Sequence, residues 1–120
     1  DKFCEINKEN SKRRALSSFF VQLMKQNVIS PDKVINLIDI LIEKFKSYID
    51  EDNKKNEVDE IVENLVVMIG PGFDCIEQYN SDKSEEIKEF VGESASLKAR
   101  DHTSLSSKTV FKFMDLDDEI

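Results

Sequence analysis

Catalysis by side chains needs groups that trade protons or attack an electrophile within reach of one another, and this sequence offers few. Its single histidine, His102, stands in the polar run Arg100-Asp101-His102-Thr103-Ser104. A general base needs an orienting carboxylate and a nucleophile close by. Asp101 alone is weak support, so His102 reads as a solvated loop residue. The carboxylate pairs Glu85-Glu86 and Asp117-Asp118 are adjacent in sequence, which on a helix sends the two groups to different sides and prevents shared proton work. Gly70-Pro71-Gly72 lacks the glycine spacing and following lysine of a phosphate loop and reads as a helix stop with a turn. Cys4 and Cys75 are far apart, with no histidine or further cysteine at ligand spacing. They fit reduced thiols of a cytoplasmic protein better than a metal site or a disulfide. The expectation is a protein with no catalytic residues, cofactor, metal or small-molecule substrate.

Composition points to protein partners. With 25 acidic against 17 basic residues the net charge is −8, which opposes a general grip on phosphates and leaves RNA contact weak or indirect. No apolar run approaches the length of a membrane span, and no basic-then-apolar leader opens the chain. The 120 residues suit a single domain able to bury about two thirds of its unfolded surface. A start at Asp1 without Met suggests a piece of something longer.

The elements that would position any site are helical. Leu16, Phe19, Phe20 and Leu23 recur at i, i+3, i+4 and i+7, one face of a helix over about residues 10–26. Asn27 suits the left-handed stop, Val28 and Ile29 can pack back across the turn, and Ser30-Pro31 supplies an N-cap and first-turn proline. A second helix is expected over 31–50, with Val34, Leu37, Ile38, Leu41, Ile42, Phe45 and Tyr48 as its apolar face and Ile35 and Ile40 off it. A third is expected over 57–69, faced by Val58, Ile61, Val62, Leu65, Val66 and Ile69 and stopped by Gly70-Pro71-Gly72. Residues 71–104 are the least regular, with a helix between 82 and 98 capped by Ser84 and a polar loop at 100–104. A last helix spans about 106–116, and the acids Asp115, Asp117, Asp118 and Glu119 at its end oppose the macrodipole. These elements predict an all-α chain of antiparallel hairpins stacked as a short HEAT-like α-solenoid.

Two stretches resemble a known family, the middle domain of the translation initiation factor 4 gamma scaffold. The first is Lys12-Arg13-Arg14 through Ser30, where a basic pair precedes a helix carrying Phe19, Leu23 and Lys25, then Val28, Ile29 and the Ser30 cap. The second is Ser106-Ser107-Lys108-Thr109-Val110-Phe111-Lys112-Phe113-Met114-Asp115-Leu116, similar to the family's final helix. The matches fall in the family's order and cover its C-terminal half. Ile69-Gly70 also resembles the end of one of its helices. The resemblance implies a non-enzymatic scaffold that binds a DEAD-box RNA helicase of the initiation factor 4A type. Its implied contacts are Lys108, Phe111, Phe113 and Asp115, with Arg13 and Arg14 as a second cluster. Because Phe111 and Phe113 lie roughly 200° apart on a helix, one can be core while the other is exposed. Val110 and Met114 beside it favour Phe111 as core, which leaves Phe113 and Lys108 as surface anchors. A same-fold regulatory adaptor in mRNA decay or translational control, and an unrelated bundle that homo-oligomerises, are the alternatives.

Overall fold

The chain enters its first turn as its residues dictate. Asn27 takes the left-handed conformation with φ 61°, its N–H donates to the Met24 carbonyl, and Val28 N–H donates to that of Leu23. This is the paired bonding that closes a helix C-terminus. Ser30 Oγ then accepts from Asp32 N–H at 3.3 Å, with Pro31 as the first helical residue. In the computed structural model, which describes residues 2–120 with side chains from Ser11 onward, these signals join α1 (Lys2–Lys25) to α2 (Pro31–Tyr48). Three helices follow, α3 (Lys55–Tyr79), α4 (Ser81–Ala95) and α5 (Ser107–Glu119), with a single 3-10 turn at Ala99–Asp101 between the last two. No strand occurs among the described residues. Cys4, read above as a reduced thiol, lies outside the described side chains.

Side-chain pairs give the directions. Along α3, Glu60 meets Arg14 and Asn64 meets Ser17 of α1, while Asp59 meets Ser106, Glu63 meets Lys112 and Gly70 lies beside Glu119 of α5. Numbers rise together in both sets, so α1, α3 and α5 run parallel in one layer. On the other side Asp39 of α2 bonds Lys83 of α4 at 2.8 Å, and Phe45 packs on Phe90, making α2 and α4 a second parallel layer. Consecutive helices are antiparallel, as Tyr79 at the end of α3 shows by donating to Asp32 at the start of α2, 2.7 Å away. The result is an all-α stack of antiparallel hairpins, a short HEAT-like α-solenoid. Its core lies between the layers around Ile38, Phe45, Val62, Leu65, Ile87 and Phe113, all almost fully buried.

Several expectations are corrected. Gly70-Pro71-Gly72 does not stop α3, which runs on to Tyr79 with Pro71 inside it. Gly72, Phe73 and Ile76 continue the buried face past the proline, and that burial outweighs the lost backbone donor. Residues 71–104 are regular rather than irregular. Asn80 ends α3 and caps α4 by accepting from Lys83 N–H at 3.2 Å, so Ser84 is not the cap; it is buried and donates to the Ser81 carbonyl. On α1 the inward line is the half-buried Ser17 with the buried Val21 and Met24, rotated away from the expected face, and Leu16 and Phe19 are 53% and 56% exposed. On α2, Ile35 is buried, while Leu37 and Leu41 are half-buried at the outer edge.

Candidate functional site

The residues singled out on α5 divide by side of the helix. Ser106 caps it, accepting from Thr109 N–H at 3.2 Å and donating to Asp59 of α3 at 3.0 Å; Thr109 also donates to the same Asp59 oxygen. With the N-terminus anchored to α3, Val110, Phe113 and Leu116 turn inward. Phe113 is fully buried, with its ring 5.2 Å from that of Phe45 and 5.7 Å from that of Phe90; the latter two are also 5.7 Å apart. This three-ring cluster fastens α5 to both α2 and α4. The assignment of Phe113 as a surface anchor and Phe111 as core is therefore reversed: Phe111 is 62% exposed. The physical reason is spacing, since Val110, Phe113 and Leu116 form the i, i+3, i+6 line that meets the stack. Lys108, Phe111 and Asp115, at i, i+3 and i+7, share the opposite, exposed face, with Met114 beside them.

Arg13 and Arg14 sit elsewhere, at the junction of α1 and α3. Arg14 Nε lies 3.4 Å from Glu60. Asn64 donates to the Glu60 carbonyl at 2.9 Å and accepts from Ser17 at 2.9 Å, so one turn of α3 holds one turn of α1. Burial pushes the Glu60 carboxyl above its ordinary range, and the charges of Arg14, Arg13 and Lys112 pull it partly back. Lys112, which sequence reading left unassigned, pairs with Glu63. A cationic residue from each outer helix thus grips an acid on the central one. The structure brings Lys108, Phe111 and Asp115 together and leaves Arg13 and Arg14 as a separate group tied to the fold.

His102 is likewise structural in its contacts. Its Nδ1 lies 2.8 Å from Asp50, at the end of α2, not beside a nucleophile. Next to it Ser104 is buried, takes Lys54 N–H at 3.0 Å, and donates its own N–H to the Ile49 carbonyl at 2.8 Å and its hydroxyl to the Glu51 carbonyl. The expected polar loop at 100–104 is in fact stapled to the α2–α3 turn, where Asn53 takes φ 60°. The serine carries no signal of this in sequence, because its partners are backbone groups some fifty positions away.

Among the described residues no three His, Cys, Asp or Glu side chains gather as a metal site requires. No helix among them is long and apolar enough to cross a membrane. An open cleft of about 600 Å³ separates α1 from α2, bounded by Arg13, Leu41, Lys44 and Tyr48, with Glu60 and Ile61 of α3 behind them. The arrangement can present side chains to another macromolecule on two surfaces, the α5 face and the α1–α2 edge. Comparison of the chain with protein-family models, curated proteins and solved structures finds no match to any of them.

Proposed function

We propose that this chain is a non-catalytic scaffold domain of the cytoplasm that binds a DEAD-box RNA helicase of the initiation factor 4A type through the exposed face of α5. One observation carries the reading: Lys108, Phe111 and Asp115 share that face, with the Phe111 ring 62% exposed between two opposite charges. A large exposed aromatic flanked by charge is the composition of an interface hot spot. The choice of helicase as partner rests on the resemblance of two segments to the initiation factor 4 gamma middle domain. The hairpin stack agrees with it. Contacts with RNA would be indirect, as the acidic balance requires.

Titration of the purified chain with such a helicase, followed by calorimetry without RNA, tests the reading. Weak binding is expected, together with a change in the helicase's ATPase rate. Phe111→Ala combined with Lys108→Ala should abolish both while leaving the melting temperature nearly unchanged. Undiminished binding by that variant would move the contact to Arg13 and Arg14, and no binding by the parent would reject the helicase. A dimer mass in solution with no helicase binding would select self-association instead.

A further inference from the structure

Charge is unevenly spread along this chain. The α1–α2 hairpin, residues 2–48, holds nine basic and five acidic residues, whereas residues 49–120 hold 19 acidic and 8 basic residues. The same hairpin carries most of the exposed large apolar side chains. On α1, Lys12, Leu16, Phe19 and Leu23 fall at i, i+4, i+7 and i+11; all are exposed except the half-buried Leu23. On α2, Lys33, Leu37, Ile40, Leu41 and Lys44 fall at i, i+4, i+7, i+8 and i+11, with Ile40 52% exposed. Each row is one stripe of its helix.

Both stripes border the same edge. The opposite flank of α1 is spent on α3 through Arg14, Ser17 and Met24, and that of α2 on α4 through Asp39 and Phe45. What remains of both helices faces away from the rest of the stack. Between them α1 packs only lightly on α2, and the cleft there reaches inward to Ile61. Of the two stripes, Leu41 and Lys44 line that cleft, together with Arg13 and Tyr48, while Lys12, Leu16, Phe19, Lys33 and Ile40 stand exposed on the helix faces of the same edge. Asn56, Glu57, Glu60 and Asn64 line the cleft as well, and Glu60 is already held by Arg14.

We infer that the α1–α2 edge is a docking groove for an acidic amphipathic helix of a protein partner, a surface separate from the α5 face and independent of the helicase reading. The reasoning is steric and electrostatic. The twelve residues from Lys33 to Lys44, eleven steps of about 1.5 Å each, span about 16 Å, which seats about three turns of helix. A third helix laid along this edge, across the cleft, buries Leu16, Phe19, Leu23 and Ile40 in the ridges-into-grooves manner of the stack itself. Its flanking carboxylates then meet Lys12, Lys33 and Lys44. Face-to-face pairing of two copies would instead oppose each lysine with its own kind. A bilayer surface is flat and cannot fill a recess that reaches Ile61, and a phosphate backbone would meet a wall of leucines.

The test uses a fluorescent synthetic peptide of about 18 residues with leucines at i, i+4, i+7 and i+11 and glutamates flanking them. A twin peptide carries lysines in place of the glutamates. Anisotropy titration against the whole chain should show saturable binding of the acidic peptide and none of the basic one. Leu16→Ser with Phe19→Ser, both exposed positions, should weaken it about tenfold or more. Lys33→Glu with Lys44→Glu should do the same and transfer affinity to the basic peptide, a gain that misfolding cannot mimic. Phe111→Ala should change nothing, separating this groove from the helicase surface. Equal binding of both peptides, or indifference to the lysine reversals, overturns the inference. So does concentration-dependent self-association that Phe19→Ser abolishes, which assigns the edge to a second copy. Sedimentation of the chain with phosphatidylserine vesicles but no peptide binding overturns it in favour of a membrane surface.

Discussion

Replacing Phe113 by alanine should be among the most damaging single changes in the molecule, and replacing Phe111 among the least. Phe113 is fully buried, and its ring contacts two others edge-on. Truncating a buried phenylalanine costs about 3 to 5 kcal/mol, and two lost edge-to-face pairs, each worth about 0.5 to 1.5 kcal/mol beyond area, place this site toward the upper end. A chain of 120 residues has an unfolding entropy of about 0.25 kcal/mol/K, so the melting temperature should fall by about 12 to 20 °C. Total stability for a domain of this size is about 5 to 15 kcal/mol, and a sizeable unfolded fraction at 37 °C is expected. Phe111→Ala, at an exposed position, should stay within about 0.5 kcal/mol of the parent. Circular dichroism melts at 222 nm, backed by urea titration at 25 °C, read both. If Phe111→Ala melts as low as Phe113→Ala, α5 is rotated from the orientation described and the surface assigned to Lys108, Phe111 and Asp115 does not exist.

Three further outcomes are expected. Pro71→Ala should raise stability by about 1 to 3 kcal/mol in urea titration, because it returns a donor to the Val67 carbonyl within α3; a loss would show that α3 breaks there. Ser104→Ala should cost about 1 to 3 kcal/mol, since it removes the partner of Lys54 N–H in a buried place, and hydrogen exchange at Lys54 should rise with it. Glu60→Gln should change how stability varies with pH. Because burial raises the Glu60 carboxyl in the fold, the folded state holds that proton more tightly than the unfolded one. The parent therefore loses stability relative to the glutamine variant as pH rises from the ordinary carboxylate range through the raised value, read from urea midpoints at successive pH values. An opposite trend would mean that Arg14, Arg13 and Lys112 outweigh the burial.

Helix positions were legible in the sequence because capping chemistry and apolar spacing agreed, as at Asn27, Ser30-Pro31 and Ser106. Orientation was less so. Leu16 and Phe19 formed a convincing stripe, yet α1 turns Ser17, Val21 and Met24 inward. The half-buried Ser17 points inward because it bonds Asn64 of α3, a partner 47 positions away. Gly70-Pro71-Gly72 carried a strong local stop signal that the continued burial of Phe73 and Ile76 overrode. On α5, adjacency of Val110 and Met114 was given weight that belonged to the i, i+3, i+6 line through Phe113. Lys112 and Ser104 were missed because their partners, Glu63 and the α2–α3 turn, are distant in sequence. The surface group survives in part: Lys108, Phe111 and Asp115 are together, Phe113 is not among them, and Arg13 and Arg14 belong to another junction.

The staple between Ser104 and the α2–α3 turn bears on how this chain comes apart. An array of helical hairpins in which each touches only its neighbours melts like a row of coupled units, fraying from its ends. Here the segment joining α4 to α5 is bonded to Ile49, Glu51 and Lys54, and His102 reaches Asp50. The last hairpin cannot peel away without exposing the turn that closes the earlier one. Opening is thereby concentrated into one cooperative event for residues 31–119. Slow-exchanging amides should therefore extend into α5 at nearly the protection of α3.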